Sequence, residues 1–305
     1  MISGVHRRMK GAVRLAALAV IVALAGCNSL STRNTGSTAL RVSSGDLQTA
    51  KTLVYLVPGV LTSTTVFGPA LKWGRRDVAV IEYRFPGLDQ RALEGRVNIV
   101  EAGREIAAHA ARAGAEKVVL IGFSTGAAIA VEAGARLPGK DVGVAGVSSA
   151  VPFPGMLMAG AGSSLDFVTS VGRADALEYD PIWKDYYRTL LLGRNWPFDA
   201  GKRAQADALM KAYADVQAEP PSGGIGRSHA NNLLVWQLTP EAETSGARMV
   251  FWHGSDDTIA PLPKARRFAD RIGAEMRILP RTGHMALEVH AGLIKVIGTE
   301  FGVLR

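Results

Sequence analysis

Cysteine is almost absent from this sequence, since Cys27 is the only one among 305 residues. No disulfide can therefore form within the chain. The sequence also lacks His, Cys, Asp and Glu clustered at metal-ligand spacing, and it lacks a glycine-rich dinucleotide-binding motif. We therefore expect an activity that requires neither a metal ion nor an organic cofactor.

Acidic residues are missing from the first part of the chain, where none precedes Asp46. Four basic residues in the first fourteen positions account for half of the formal net charge of +8, leaving +4 without them: Arg7, Arg8, Lys10 and Arg14. No run dense in Lys and Arg with interleaved aromatic residues follows, which argues against nucleic acid as a partner. The basic charge is instead typical of the start of a secretory signal peptide.

No apolar run in the leader is long enough to span a bilayer, because the run from about Ala16 to Ala25 is too short. A run of this length after a basic stretch is typical of a secretory signal peptide. Its end, Leu24-Ala25-Gly26-Cys27, resembles the lipobox of bacterial lipoproteins. The alternative interpretation is an ordinary signal peptide that carries an incidental cysteine.

The lipobox resemblance implies that residues 1–26 are removed and that Cys27 becomes the acylated first residue. The predicted location is then the bacterial cell envelope, with the protein lipid-anchored and membrane-associated through Cys27. Asn28 follows in place of an acidic residue, which in many such bacteria favours the outer membrane. The polar stretch over residues 27–50 is interpreted as a flexible tether between the lipid and a folded domain.

Apolar runs alternate with helical stretches after residue 50, and this rhythm favours βαβ units with a mostly parallel central sheet and helices on both faces. The predicted strands are Thr52–Val57, Val78–Glu82, Lys117–Ile121, Val142–Val147, Arg248–Trp252 and Glu275–Leu279. The predicted helices include Leu93–Arg112 and a final helix over Leu287–Phe301. We expect an α/β core built from 51–151 and 246–305, with 152–245 inserted as a mostly helical cap.

The segment Gly122-Phe123-Ser124-Thr125-Gly126 carries the strongest chemical signal in the sequence. It follows a predicted strand and precedes an alanine-rich helix, which is the context of a G-x-S-x-G nucleophile turn. A serine hydroxyl is a poor nucleophile unless it is exposed on such a turn and a base removes its proton. Ser124 at a helix N-terminus would also lie where the helix dipole favours developing negative charge. The alternative is a serine in an ordinary turn.

Residues of two further loops stand where a serine nucleophile needs its partners. Asp256 and Asp257 lie on the loop after the strand Arg248–Trp252, and His284 lies on the loop after the last predicted strand. The chain order Ser, Asp, His differs from the orders of unrelated triad folds. His284 would act as the base for Ser124, and the aspartate would fix the imidazole tautomer.

Residues from about 52 to 305 resemble the α/β-hydrolase superfamily, especially capped esterases, monoacylglycerol-lipase-like enzymes and related serine peptidases. Gly254-x-x-Asp257-x-Ile259-x-Pro261 resembles the family's acid loop, so the resemblance assigns the acid to Asp257 and not to Asp256. The family's usual His-Gly after an early strand is Pro58-Gly59 here. The resemblance implies that the backbone N–H groups of Val60 and Thr125 form the oxyanion hole.

The function that these residues predict is hydrolysis of carboxylic esters, lipid-like or small, through a Ser124–His284–Asp257 triad and an acyl-enzyme intermediate. A peptidase or an acyltransferase would use the same triad, and a non-catalytic binding lipoprotein remains the alternative from another class. The other histidines are interpreted as packing or surface residues. For His229, near the end of the insertion, the alternative interpretation is a residue that contacts substrate.

Overall fold

The computed structural model describes residues 39–174, 178–212 and 223–304. In this part of the chain, the strands are β1 Leu40–Ser44, β2 Thr52–Val57, β3 Val78–Tyr83, β4 Lys117–Phe123, β5 Asp141–Val147, β6 Arg248–Gly254 and β7 Glu275–Leu279. They form one sheet in the order β1-β3-β2-β4-β5-β6-β7. Strand β1 pairs with β3 antiparallel, and all the other pairs are parallel. The predicted α/β fold with a mostly parallel sheet is therefore confirmed.

The described α-helices follow the strands along the chain. They are α1 Ile99–Ala113, α2 Thr125–Gly134, α3 Gly155–Arg173, α4 Tyr179–Leu192, α5 Ala200–Ala212, α6 Gly223–Leu233, α7 Pro240–Glu243, α8 Leu262–Arg271, α9 Ala286–Val289 and α10 Leu293–Glu300. Two 3₁₀ helices, Thr64–Lys72 and Trp196–Phe198, complete the set. Within the described ranges, no helix is both long and apolar enough to cross a membrane.

The sheet is buried on both faces because its central strands are continuous apolar runs. Alternate residues of β2 belong to different cores: Leu53 and Tyr55 pack on one side of the sheet, and Val54 and Leu56 pack on the other. Helices α1 and α2 cover the first side, and α10 covers the second. This two-sided burial explains why the strands could be predicted from sequence, since burial on both faces produces unbroken apolar runs.

The parallel strands all end at the same edge of the sheet, where α/β proteins place their ligand sites. Ser124 directly follows β4, Asp257 follows β6 by three residues, and His284 lies five residues beyond β7. The loop that begins at Pro58 leaves the end of β2 at this edge as well. The topology therefore brings together four loops that are far apart in sequence.

The segment between β5 and β6 is mostly helical, as predicted for residues 152–245, and it contains α3 to α7. Its final part packs on the core. The buried carboxylate of Glu132 in α2 accepts hydrogen bonds from the Trp236 indole, at 3.1 Å, and from the Thr239 hydroxyl, at 2.7 Å. The segment Trp236–Glu243 is thus fastened to α2, and its residues extend the hydrophobic core around that helix.

Three element predictions need correction. The expected tether over 27–50 is wrong from Leu40 onward, because Leu40–Ser44 forms an edge strand. This strand has a hydrogen-bonded neighbour, β3, on one side only. The first long helix begins at Ile99 and not at residue 93, because the Asn98 side chain caps the N–H groups of Val100 and Glu101. The final helix is interrupted, and α9 and α10 are separate. The predicted signal peptide 1–26 and Cys27 lie outside the described residues.

Candidate active site

Ser124 lies in a tight turn between β4 and α2, with backbone angles φ 54° and ψ −118°. A non-glycine residue rarely adopts a positive φ, and its persistence at one position marks strain held by the surrounding structure. Here the neighbours hold it: the Ser124 N–H donates to the carbonyl of Val147 at 2.9 Å, and the Ser124 carbonyl accepts from Ala150 at 3.0 Å. The turn is therefore anchored to the end of β5.

The two glycines of the motif are required by close backbone approach. A Cβ atom added to Gly126 would overlap the carbonyl oxygens of Val57 and Pro58, and one added to Gly122 would overlap the backbone of Gly126 and Ala127. The start of α2 thus packs directly against the end of β2. This contact places the loop after β2 beside Ser124.

The structure brings the three predicted side chains together in one chain of hydrogen bonds. Ser124 Oγ lies 2.9 Å from His284 Nε2, and His284 Nδ1 lies 2.8 Å from Asp257 Oδ2. All three residues are buried. Because a carboxylate only accepts, Nδ1 carries the proton that is donated to Asp257, and Nε2 is left to accept the proton of the Ser124 hydroxyl.

Of the two neighbouring aspartates, Asp257 is the one that reaches His284. Its second oxygen, Oδ1, accepts from the N–H groups of Ile259 and Ala260, both at 2.8 Å. Burial by itself would raise the pKa of the Asp257 carboxyl, but His284, His253 and the Ala260 N–H outweigh it and hold the pKa below its usual range. The carboxylate is therefore ionised over the neutral pH range.

Asp256 faces away from this chain of hydrogen bonds. Its Oδ2 lies 2.6 Å from the Nζ atom of Lys202 in α5, and its N–H donates to the carbonyl of Thr282. The Lys202 side chain is almost completely buried and also donates to the carbonyl of Leu192. Asp256 thus joins the inserted helices to the loop of the acid.

His253, interpreted from sequence as a packing residue, contacts the predicted acid directly. Its Nε2 atom donates to the carbonyl of Ala260 at 2.7 Å and lies 3.5 Å from Asp257 Oδ2. Its Nδ1 atom has no hydrogen-bond partner among the described residues. Burial lowers the pKa of His253, so its imidazole is neutral near pH 7. No motif or spacing in the sequence marks this contact.

Helix α4 holds the loop of His284 from the inserted side. The N–H of Gly283 donates to the carbonyl of Leu191 at 2.8 Å, and the N–H of Met285 donates to the carbonyl of Leu190 at 3.1 Å. A side chain at Gly283 would overlap these carbonyls, which explains the glycine before the histidine. The position of His284 therefore depends on the insertion as well as on the sheet.

Of the two predicted oxyanion donors, Thr125 directly follows Ser124 in the chain, and Val60 lies in the loop after β2. Thr125 is the first residue of α2, so its N–H has no partner within that helix. The backbone of Gly59 lies against Ser124, since a Cβ added there would be 3.0 Å from the Ser124 Cβ. Val60 follows in a turn closed by a hydrogen bond from the Thr62 N–H to the Gly59 carbonyl, at 3.2 Å. Thr125 is thus next to Ser124 in sequence, and Val60 follows the residue whose backbone contacts Ser124 in space.

His229 also contacts this turn, through the backbone of Leu61. The N–H of Leu61 donates to His229 Nδ1 at 3.1 Å, and His229 Nε2 lies 2.8 Å from the carbonyl oxygen of Pro86. No periodicity or motif in the sequence marks this residue. In the part of the chain that the structure describes, no group of three or more His, Cys, Asp or Glu residues has a geometry that could hold a metal ion.

The comparisons with known proteins agree with this geometry at the level of the family. The sequence model of the alpha/beta hydrolase family matches residues 54–295, which is most of the chain. The protein therefore belongs to the alpha/beta hydrolase family. Among curated proteins, none matches the chain.

Solved structures show the same fold at low sequence identity. A lipase-esterase related protein from Clostridium acetobutylicum is 16% identical, with 86% of this chain and 99% of that one covered and a TM-score of 0.60. A thermophilic esterase from Thermogutta terrifontis is 16% identical, with coverages of 90% and 97% and a TM-score of 0.57. An alpha/beta hydrolase enzyme from a Medee basin deep-sea metagenome library is 12% identical, with coverages of 91% and 98% and a TM-score of 0.63.

Proposed function

We propose that the protein is a serine hydrolase that cleaves carboxylic esters, with Ser124 as nucleophile, His284 as general base and acid, and Asp257 as the residue that orients His284. The observation that carries this proposal is the unbroken hydrogen-bonded chain from Ser124 Oγ through the imidazole to Asp257. The strained turn that presents Ser124 at the start of α2 supports the same roles. The esterases among its structural neighbours are consistent with an ester substrate.

In the first half of the reaction, His284 Nε2 takes the proton of Ser124 Oγ as that oxygen attacks the ester carbonyl. Asp257, ionised and fixed by two backbone N–H groups, stabilises the imidazolium that forms. The N–H groups of Val60 and Thr125 donate hydrogen bonds that stabilise the negative charge on the carbonyl oxygen, aided by the N-terminus of α2. The imidazolium then protonates the departing alcohol and leaves an acyl-Ser124.

In the second half, His284 removes a proton from water, and the hydroxide attacks the acyl carbonyl. The same two backbone N–H groups donate to the second oxyanion, and the imidazolium returns its proton to Ser124 Oγ as the acid is released. No step requires a metal ion or an organic cofactor. The reactants are therefore a small-molecule or lipid ester and water.

The membrane location belongs to the same proposal. Acylation of Cys27 after removal of residues 1–26 would tether the folded domain to the bacterial envelope, at the outer membrane if Asn28 is read as a sorting signal. Each buried methylene contributes about 0.8 kcal/mol, and stable anchoring requires two or more chains. An anchored enzyme would meet acylglycerols, lysophospholipids and other envelope esters. Membrane fractionation of wild-type protein and Cys27→Ser tests the anchor, and a variant that still sediments with membranes contradicts it.

The activity is tested by hydrolysis of p-nitrophenyl esters of graded chain length, using full-length protein in mild detergent. We expect turnover by the wild type and by Ser43→Ala, an exposed serine on β1, and none by Ser124→Ala. A fluorophosphonate probe should label the first two proteins and not the third. If the folded wild type neither turns over any ester nor takes the label, the proposal is wrong, and a peptide panel becomes the next measurement.

A further inference from the structure

The turn after β2 contains an unfavourable backbone conformation beside the nucleophile. Residues Gly59 to Thr62 form a turn closed by the Thr62 N–H on the Gly59 carbonyl, and Leu61, its third residue, has φ 60°. This position with positive φ normally favours glycine or asparagine, because a Cβ atom is strained there. Something outside the turn must therefore stabilise the conformation of Leu61.

His229 supplies that contact from the inserted segment. Its Nδ1 atom accepts the Leu61 N–H at 3.1 Å, and its Nε2 atom donates to the Pro86 carbonyl at 2.8 Å. A backbone N–H can only donate and a carbonyl can only accept, so the partners specify the neutral tautomer with the proton on Nε2. The side chain is 1% exposed, so water does not compete for either atom.

Helix α6, which carries His229, is itself fixed to the segment between β3 and α1. The Val97 N–H donates to the Ser228 carbonyl at 3.1 Å, and the Ser228 hydroxyl donates to the Gly95 carbonyl at 2.7 Å. The ring of Phe85 lies 5.3 Å from the His229 imidazole. His229 is therefore held from its own helix, from Pro86 and from Phe85, and it is a rigid acceptor.

The peptide group between Val60 and Leu61 is held at both ends. His229 accepts its N–H, and the Thr62 hydroxyl donates to its carbonyl oxygen, that of Val60, at 3.2 Å. A peptide group is planar, so two hydrogen bonds on opposite sides fix its orientation. This plane and the Gly59–Val60 plane meet at the Val60 Cα, so its fixed orientation limits the directions that the preceding Val60 N–H can take. That N–H is the donor assigned to the oxyanion.

We propose that His229 is a positioning residue for the oxyanion hole, acting through the Leu61 N–H to hold the Val60 N–H toward the developing oxyanion. The inference rests on the proposed hydrolase function. It makes the end of the insertion part of the catalytic apparatus, since the donor loop of the core is shaped by a side chain from α6. His229 touches neither the substrate nor Ser124 in this role.

Two amide variants separate the ring nitrogens of His229. In His229→Asn, the side-chain oxygen can occupy the place of Nδ1 and accept the Leu61 N–H. In His229→Gln, the amide can reach Pro86 as Nε2 does, but no acceptor remains at the Nδ1 position. His109 on α1 provides the matched control, because it is a half-buried histidine away from the site, and its Nδ1 atom lies 2.6 Å from the hydroxyl of Tyr55 in β2.

The measurement is kcat and KM for a p-nitrophenyl ester, with active sites counted by fluorophosphonate titration, alongside inhibition by a trifluoromethyl ketone. Complete loss of an oxyanion donor lowers kcat about 10²–10³-fold, so a misaligned donor should cost about 10–100-fold. We expect that loss in His229→Gln, with KM within about twofold and a parallel loss of ketone affinity, whereas His229→Asn retains most of the wild-type kcat. His109→Gln should leave kcat per titrated site unchanged.

The outcomes discriminate between the inference and its alternatives. Equal kcat in wild type and His229→Gln overturns the inference, and so does a loss that is equal in the Asn and Gln variants. A loss in melting temperature without a change in kcat per titrated site assigns His229 a purely structural role and also overturns it. Inactive wild-type protein contradicts the proposed function itself, which keeps the two failures distinct.

Discussion

The imidazole of His253 lies 3.5 Å from the carboxylate of Asp257, and both side chains are shielded from solvent. The same imidazole donates to the Ala260 carbonyl, while the Ala260 N–H donates to Asp257 Oδ1. The acid is therefore enclosed by a small network in which each partner fixes another. Because a neutral His253 presents its Nε2–H to this network, protonation would add a buried charge at its Nδ1 atom, which has no acceptor among the described residues.

The stability of the protein should consequently fall as the pH drops below about 6.5, the ordinary pKa of histidine. Burial lowers the pKa of His253, and His284 lowers it further. Asp257 and the Ala260 carbonyl act in the opposite direction but do not outweigh burial. The unfolded chain then binds a proton at a pH where the folded chain does not. Each such proton changes the free energy of unfolding by about 1.4 kcal/mol per pH unit.

Urea unfolding of wild type and His253→Gln between pH 5 and 8 measures this dependence. Glutamine can still donate to the Ala260 carbonyl but does not titrate, so the slope below pH 6.5 should become shallower. It should not vanish, because burial also lowers the pKa of His229 and of His109. Identical slopes in the two proteins would show that His253 does not titrate differently in the folded and unfolded states.

The two adjacent aspartates should have opposite mutational profiles. Asp257→Asn replaces the acceptor of His284 Nδ1–H by a group that favours the wrong tautomer, and we expect kcat to fall about 10⁴-fold with stability largely retained. Asp256→Asn should keep most of the activity, but it removes the charge opposite the buried Lys202 ammonium, and a loss of about 1–3 kcal/mol is expected.

Ester hydrolysis per titrated site and urea unfolding, measured on both aspartate variants, provide the test. The reverse pattern, with activity abolished in Asp256→Asn and intact in Asp257→Asn, would move the acid to Asp256. Loss of both activity and stability in both variants would mean that the substitutions disrupt the loop as a whole and do not separate the roles of the two carboxylates. The distances to His284 and to Lys202 are the reason to expect a clean separation.

Burial explains which parts of the fold and site could be predicted from sequence. The bounds of β2 and β7 agree with the predicted strands, and the positions of Ser124, Asp257 and His284 follow from the strand that precedes each residue. Strand β1 was not predicted, because its residues are mostly polar and exposed at the edge of the sheet. An edge strand needs only one partner, so its sequence carries a weak apolar signal.

The contacts of His229 and His253 could not be predicted for a different reason. Each depends on a backbone group that tertiary structure brings near, the Leu61 N–H in one case and the Ala260 carbonyl in the other. A sequence motif is defined by residue types at fixed spacings along the chain. Contacts between a side chain and a backbone group do not require a particular residue type at the partner position, so no motif predicts them. Gly122 could be predicted because its close approach, to the backbone of Gly126 and Ala127, occurs within the turn itself.

The buried carboxylate of Glu132 should be important for stability and not for catalysis. It accepts from the Trp236 indole, from the Thr239 N–H and hydroxyl, and from Arg136. Glu132→Gln exchanges one acceptor oxygen for a donor that faces these donors, and leaving a buried donor unsatisfied costs about 1–3 kcal/mol. We expect a lower urea midpoint with kcat per titrated site unchanged.

Thr239→Val is the matched control for Glu132, because it removes one of the donors and keeps the shape of the side chain. The double variant with Glu132→Gln should then be less destabilised than the sum of the two single variants, since they share a hydrogen bond. Strict additivity would indicate that the Thr239 hydroxyl does not interact with Glu132. An unchanged midpoint in Glu132→Gln would mean that the end of the insertion is held by packing alone.

Removal of the Val60 N–H is the direct test of the proposed oxyanion donor. Val60→Pro is suited to it, because Val60 is the second residue of the Gly59–Thr62 turn and proline is favoured at that position. The substitution deletes the N–H while keeping the turn, so kcat should fall about 10²–10³-fold with KM nearly unchanged. Val60→Ala, which shortens the side chain and keeps the N–H, should stay within about tenfold of the wild type if that amide is the group that matters. Full turnover by a folded Val60→Pro protein would exclude Val60 as the donor and would leave the Thr125 N–H, at the start of α2, as the oxyanion contact to test next.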